Sequence, residues 1–584
     1  MKFHSWFICL LLTILLISTI SYFNLQEIPQ IPIYRGDLSF QSDLAFMYLT
    51  ALVTNFPRRD YLKQHKLAAA EWIESELRAT GLEVYTQDFS SVIASKDITG
   101  LRNIYALLPG KRKEAILIVG HYDLPPFVRQ GAADNGSGVA TLLELARIFA
   151  SSPTPQWTMI FMASDCKEYG PMCGSYRFLE ESGWKEHLAV AISLDFANLG
   201  EMEGIKINNT GLQKGYTPLW LRQIALNSIT LETNALDSNP LREWLERAFP
   251  FAPTEHGIYL RSGIPAINLA GAPKNHAWQA EYHHTTGDTI EKILPETISR
   301  YGKASERLLR SLQLLTEFPQ EDMFYFKIGS HYLPAWVIRI LQLLVLLPLF
   351  VRTLIAWKKG RHYTREIWLE IRHLFAIFCS GVFGYLLLRL LPKKGLLLKY
   401  ELYPATLKDP VLNHPPILPL LLVVATIFIS YGLLHHLLAL GKEISLEARL
   451  GTDLTLLLII VIANILLDSG FSSLAFLLPS LVFWPLLSPA TTAPKRIINF
   501  LLLLVGISPF LFLFVLSFYI SGKISWQLLL ATANGLFSLR TISSFILVIS
   551  ILIRFIPSAL ATNNNPNLSW GNKEEYFSWR TVLK

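Results

Sequence analysis

From Leu333 onward the chain is a succession of apolar segments, at about 334–356, 368–391, 416–439, 453–468, 471–488, 498–520 and 535–557. Each is long enough, or nearly so, to cross roughly 30 Å of hydrocarbon. In a bilayer every backbone polar group must be satisfied inside the segment, so these stretches are expected to be helices. Of the 584 residues, 51% are hydrophobic and 17% charged, a balance too apolar for an ordinary soluble protein. The fourth and fifth segments are short, and a re-entrant pair is an alternative reading for them.

Residues 3–20 form another apolar run after Lys2, with no small-residue A-x-A cleavage site before the polar stretch that follows. The reading is an uncleaved signal anchor over 1–24, with a cleaved signal peptide as the alternative. Basic clusters at Lys358, Lys359, Arg361 and Arg365, and at Lys495 and Arg496, belong in the cytoplasm by the positive-inside rule. Counting from a cytoplasmic N-terminus puts both clusters there, residues 25–333 outside and the tail 561–584 inside, with eight spans including the anchor. Lys393, Lys394 and Lys399 then fall on the outer side, against the rule. The net charge of +7 is therefore topogenic, and it points to a lipid bilayer and to no nucleic acid. A bacterial inner membrane facing the periplasm is preferred, although an organelle lumen gives the same topology.

Residues 25–320 have the composition of a soluble α/β domain, followed by a linker at 321–333 and a polytopic membrane domain at 334–560. Gln64–Thr80 carries Leu67, Ala70, Ile73 and Leu77 at helical spacing, and Gly81 ends it. Leu82–Phe89 alternates as a strand does. Ala115–Val119, Thr158–Ala163, Ala189–Leu194 and Ile264–Leu269 are buried-strand runs, with a helix at Gly138–Ala150. This alternation predicts a mainly parallel sheet with helices on both faces.

Each of three buried runs ends in residues able to hold a metal: His121 and Asp123, then Asp165 and Glu168, then Asp195. Ligands of open α/β sheets bind beyond the carboxyl ends of the strands, so these residues should converge. Asp134 in GAADNGSG and His284 in YHHTTGD complete a mixed set of two imidazoles and carboxylates that suits zinc. A shared carboxylate would hold two divalent ions about 3.5–4 Å apart, where they activate water and polarise a carbonyl. Asp123 stands where a carboxylate would orient the His121 ring.

GHYD at 120–123, GAADNGSG at 131–138, FMASDCKEYG at 161–170, SLDF at 193–196, SGIPAINL at 262–269 and YHHTTGDT at 282–289 occur in one order. RNIYALLPG at 102–110 fits with them. Together they resemble the M28 family of zinc aminopeptidases and carboxypeptidases, over roughly residues 40–315. The resemblance implies a zinc-exopeptidase-like (phosphorylase/hydrolase-like) fold and a peptide substrate. It also implies two zinc ions, one on His121 and Asp195, the other on Glu168 and His284, with Asp134 bridging. By architecture alone, the membrane half resembles the multi-spanning branch that includes endoplasmic-reticulum and vacuolar membrane metallopeptidases. The sequence names no protein partner for that half.

Two positions depart from the family pattern. Members usually have a Glu-Glu pair, general base then ligand, where this chain has Lys167-Glu168. Counted from the strand, the base has become Lys167, whose ordinary pKa near 10.4 makes it unable to accept a proton at neutral pH. Counted backward from Gly174-Ser175, Glu168 is the base and Tyr169 takes the ligand position. The first register is preferred because it keeps all five ligands. His283 stands where the family often has a tyrosine that steadies the oxyanion, and it could donate the same hydrogen bond, serve as a substitute base or be a polar neighbour. The expected activity is a membrane-bound zinc exopeptidase, most simply an aminopeptidase. The alternatives are a catalytically impaired peptidase-like binding or scaffold protein, because of Lys167, and a transporter with a regulatory soluble domain, which ranks last.

Four cysteines exclude a disulfide scaffold. Cys166 and Cys173 are read as either a disulfide bracing the site loop or two buried thiols, and Cys9 and Cys379 as packing residues. Arg339, Arg389, His435, His436 and Asp468 are ionisable residues in or near spans, and the His435-His436 pair is the candidate for lining a pathway.

Overall fold

The computed structural model describes residues 3–60, 65–168, 172–252, 254–320, 324–360, 364–400, 416–440, 446–468, 471–487, 492–521, 526–537 and 539–560. Tyr169, Arg361 and the polar tail lie outside them. The chain divides into two compact units, one of Gln26–Tyr332 with Leu398–Thr406, the other of Met1–Leu25, Leu333–Leu397 and Leu407–Lys584.

The first unit holds β1 (Gln26–Glu27), β2 (Glu83–Ile93), β3 (Lys96–Leu108), β4 (Arg112–His121), β5 (Trp157–Ser164), β6 (Leu188–Leu194), β7 (Met202–Asn208), β8 (Ala235–Leu236), β9 (Ala266–Pro273) and β10 (Tyr325–Ile328), with β11 (His331–Pro334) at its end. Eight of them form one mixed sheet in the order β2-β3-β5-β4-β6-β9-β7-β8. Its centre, β5-β4-β6-β9, is parallel, while the β2/β3, β3/β5 and β7/β9 pairs are antiparallel. Every residue of β5 and β9 is buried, because helices cover both faces.

Register delivers the chemistry to one edge. His121 pairs with Ser164 across β4 and β5, and Val119 pairs with Ser193 across β4 and β6. The chain therefore leaves β4, β5 and β6 at neighbouring points, at His121, Asp165 and Asp195. Helix Gly138–Ala150 packs on these three strands and buries Val139, Leu142, Leu143, Leu145 and Ala146. Helix Pro295–Gln313 starts on a proline, where no amide is needed, and its Tyr301 hydroxyl donates to Asp195 O at 3.0 Å and Leu269 O at 2.9 Å. One side chain thus ties the carboxyl end of β6 to the middle of β9.

Where a linker was expected at 321–333, β10 and β11 form a hairpin that pairs with β1 in a second, three-stranded sheet. Aromatic burial explains it. Tyr325 is buried against Tyr216 and Leu219, and its hydroxyl donates to Thr217 O at 2.8 Å. Lys399, one of the three outward lysines, belongs to this unit: its amide donates to Ser95 Oγ at 2.9 Å and its carbonyl accepts from Ser95 N at 2.8 Å. Tyr400 packs beside it on Ile93, Leu101, Cys166 and Cys173.

The second unit is helical. Among the described residues, Trp6–Phe23, Arg365–Lys394 and Ile417–Leu437 are long and apolar enough to cross a membrane. Ala335–Val345 and Leu347–Lys358 make a fourth span if that pair, bent by 42°, counts as one. The break falls beside Pro348, whose ring and missing amide interrupt the helical ladder. The expected segments 453–468, 471–488 and 535–557 hold the shorter apolar helices Gly451–Leu467, Leu474–Leu486 and Thr541–Arg554. The segment 498–520 lies inside Ala493–Ser521, which contains Pro509.

Charge in this unit is concentrated elsewhere than expected. His435 and His436 are exposed, and Arg389 donates to Ala533 O at 3.3 Å. Instead Glu370 is fully buried and accepts a bidentate pair from Arg554, at 2.8 and 2.6 Å, with Arg449 Nε 3.7 Å away. Asp453, also fully buried, has no hydrogen-bond partner on either carboxylate oxygen among the described residues. Helical periodicity alone did not reveal this cluster, because its members come from three helices far apart in sequence.

Candidate active site

The loop after β4 places His121 with its Nδ1 toward Asp123, 3.3 Å from the Asp123 carbonyl and 3.4 Å from its carboxylate, leaving Nε2 to face the cleft. Asp123 also accepts the amides of Lys167 at 3.1 Å and Glu168 at 2.9 Å. One buried carboxylate therefore sets both the His121 ring and the loop after β5.

Asp134 is the centre of the site. Its Oδ1 lies 3.1 Å from His121 Nε2. Its Oδ2 lies 2.9 Å from His283 Nε2 and 2.8 Å from His284 Nε2. The two imidazoles stack with centroids 4.0 Å apart, and His284 carries a positive φ of 56°. Glu168 Oε2 is 3.1 Å from His284 Nε2, and Glu168 Oε1 is 3.8 Å from His121 Nε2. Asp195 Oδ1 stands 3.9 Å from His121 Nε2 and, although buried, has no hydrogen-bond partner among the described residues. Lys167 Nζ reaches the same space, in contact with Glu168 Oε1 and 3.7 Å from Asp134 Oδ1.

The loop carrying Asp134 is held from outside by Asp288, a residue of the YHHTTGDT stretch that sequence reasoning left unassigned. Its carboxylate accepts the amides of Ala133 at 2.8 Å and Asp134 at 3.1 Å. The Asp134–Asn135 peptide is cis. Asp165, also at a strand end, turns away from the cluster: it pairs with the buried Lys66 and accepts the Arg102 amide at 3.0 Å. Glu255 is a second residue that no sequence signal marked, buried with Oε1 shared by the hydroxyls of Ser164 and Ser175. Cys166 and Cys173 are both free, buried thiols.

Proximity of unlike charges sets the protonation states. Burial works against the Lys167 ammonium, but Asp134, Glu168 and Asp195 outweigh it and hold its pKa well above the ordinary lysine value. Burial and Lys167 oppose charge on His121, yet the Asp123 and Asp134 carboxylates push it up to about 10. Burial likewise opposes charge on His284, and Glu168 and Asp134 raise it to about 10. Asp134 and Glu168 are held below the usual carboxylate range in spite of burial, Asp134 first by Lys167 and Glu168 first by His284. Lys167 is thus held as a positive charge among these carboxylates.

The donor set fits a borderline divalent ion. Among the described residues two groups could hold one, His121 with Asp134 and Asp195, and Asp134 with His283 and His284, each with its ligand atoms within 4.8 Å of one another. Imidazole nitrogens with carboxylate oxygens are the mixture zinc prefers, and the buried Asp195 Oδ1 has no hydrogen bond to lose among the described residues. A metal taken by His121 or His284 must displace a proton held well above neutrality, so binding here is coupled to proton release.

Residues 103–309 match the family described as Peptidase family M28. Aminopeptidase YwaD of Bacillus subtilis (strain 168) is 24% identical over 196 residues, covering 33% of this chain and 40% of that protein. Endoplasmic reticulum metallopeptidase 1 of Rattus norvegicus is 27% identical over 192 residues, 32% of this chain and 20% of that protein. The BOS complex subunit NCLN of Mus musculus is 33% identical over 277 residues, 44% of this chain and 47% of that protein. In each case the match spans less than half of the relative's own length. The strand ends and loops that gather His121, Asp134, Glu168, Asp195 and His284 at one edge of the sheet lie within residues 103–309, the stretch that matches peptidase family M28.

Proposed function

We propose that this chain is a membrane-anchored, zinc-dependent exopeptidase, acting as an aminopeptidase at the Asp134 centre, with its soluble unit on the extracytoplasmic side. The observation that carries the reading is Asp134 itself, whose two oxygens face three imidazoles, 2.8 to 3.1 Å away, with Glu168 and Asp195 beside them. The match of residues 103–309 to a peptidase family and the likeness to YwaD support hydrolysis of peptides, and the likeness to a reticulum metallopeptidase supports the membrane setting. The apolar helix Trp6–Phe23 is assigned as a signal anchor.

His121, Asp134, Asp195, Glu168 and His284 would hold zinc. When bound, it acts as a Lewis acid toward the scissile carbonyl and lowers the pKa of water. Lys167, charged and buried among carboxylates, donates hydrogen bonds and stabilises negative charge developing on the substrate oxygen. His283, with 31% of its side chain exposed, is the imidazole open to a substrate, and it is assigned the proton shuttle. Asp123 and Asp288 orient the loops.

A second reading is favoured by Lys167, the residue in the family's base position. In that reading the cleft binds a peptide or partner without turnover, and the relatives named as subunits of a BOS complex support membership of an assembly. Hydrolysis of a mixed peptide pool by the purified, zinc-loaded full-length protein, with His284→Ala in parallel, separates the two. Turnover that the variant and a chelator both abolish establishes the peptidase. A zinc-loaded wild type without turnover establishes the binding module.

A further inference from the structure

The two carboxylates at the heart of the site divide their oxygens between two kinds of neighbour. Asp134 Oδ1 faces His121 Nε2 at 3.1 Å and Lys167 Nζ at 3.7 Å, and Glu168 Oε1 contacts the same Lys167 Nζ and lies 3.8 Å from His121 Nε2. The other oxygens turn the opposite way. Asp134 Oδ2 receives His283 at 2.9 Å and His284 at 2.8 Å, and Glu168 Oε2 lies 3.1 Å from His284. One edge of this carboxylate pair thus meets an ammonium, and the other meets two stacked imidazoles.

We infer that Lys167 takes the place of one of the two metal ions, so that the site binds a single zinc on the Asp134 Oδ2, Glu168 Oε2, His283 and His284 side. This rests on the metallopeptidase reading and gives that site its stoichiometry. Charge balance supports it. Asp134, Glu168 and Asp195 supply three negative charges, which one divalent ion and one ammonium neutralise, whereas two divalent ions beside the same ammonium leave an excess of two positive charges in a buried pocket. Space supports it as well, because the Lys167 amine contacts Glu168 Oε1 and lies 3.7 Å from Asp134 Oδ1, the oxygen that a metal held by His121 and Asp195 would share. His283 then becomes a ligand, replacing on one side the donors that Lys167 occupies on the other.

The test is a metal count that does not depend on turnover. Full-length wild type, Lys167→Met, Lys167→Glu, His121→Ala and His284→Ala are purified in detergent, stripped with a chelator, reloaded with zinc alone and desalted. Zinc per chain is then read by plasma mass spectrometry, with circular dichroism as the folding control. The expected result is about one zinc in wild type and in His121→Ala, none in His284→Ala, and about two in Lys167→Glu or Lys167→Met. Two zinc ions in wild type overturn the inference, as does one in wild type and in both Lys167 variants. A zinc lost from His121→Ala but kept in His284→Ala overturns the assignment of sides. No zinc in any folded variant overturns the metallopeptidase reading itself.

Discussion

Asp288 Oδ2 accepts the backbone amide of Asp134 at 3.1 Å, and its Oδ1 accepts that of Ala133 at 2.8 Å, so a carboxylate from a loop 154 residues away fixes the residue on which the site is centred. Replacing it by alanine leaves two buried amides unpaired, at a cost of about 1–3 kcal/mol for each. Asp288→Ala is expected to weaken zinc retention roughly tenfold to a hundredfold, since groups that orient ligands act on this scale. Competition against a fluorescent chelator measures it. Unchanged retention would remove Asp288 from the site.

Gly271 in β9 donates its amide to Phe196 O at 2.8 Å, and a Cβ there would stand 1.7 Å from Ala197 O. No side chain can be accommodated without separating β9 from the segment that follows Asp195. Gly271→Ala is expected to destabilise the protein by roughly 1–3 kcal/mol and to reduce bound zinc. Thermal melts with a parallel metal count test both, and a variant as stable as wild type would refute the close approach.

His256 is buried, its Nδ1 2.6 Å from Thr254 Oγ1, and burial pushes its pKa down to about 3. An unfolded histidine titrates near 6.5. Between those values the unfolded chain binds a proton that the folded chain does not. The stability His256 contributes is therefore complete above pH 6.5 and is lost as pH falls toward 3, by up to about 1.4 kcal/mol per pH unit. Denaturant melts at pH 7, 6 and 5 should show a shallower loss in His256→Gln than in wild type, and equal slopes would contradict the assignment.

The Glu370–Arg554 pair lies in the helical unit, with side-chain exposures of 0% and 11%. Removing one partner of such a pair strands a buried charge, which costs roughly 3–5 kcal/mol, whereas removing both with apolar groups of similar volume costs far less. Glu370→Met is expected to lower the melting temperature in detergent more than the double variant Glu370→Met with Arg554→Met. The reverse order would show that the pair is not the source of stability.

Most of the domain was legible in the linear chain. The runs around Ile116, Ile160, Ile192 and Ile267 are apolar on both faces because helices cover both faces, and such runs announce buried parallel strands whatever their partners. The residues that follow them, His121, Asp165 and Asp195, are visible for the same reason: a strand that ends at a common edge delivers its next residue to one place. Asp165 shows where this reasoning stops. It has the position and the chemistry of a ligand, yet Lys66, from a helix 99 residues earlier, claims it.

The sequence by itself determined which segments are apolar enough for a bilayer, which strands are buried on both faces, and which residue types stand at their ends, because these follow from local composition and period. Only the tertiary structure decided who faces whom. That Lys167 points among carboxylates rather than into solvent, that His283 shares Asp134 Oδ2 with His284, that Asp288 holds the Asp134 amide and that Glu370 finds Arg554 all depend on contacts between residues distant in the chain. Electrostatic energy depends on separations of a few ångströms in a low-dielectric interior, and no pattern along one chain encodes those distances.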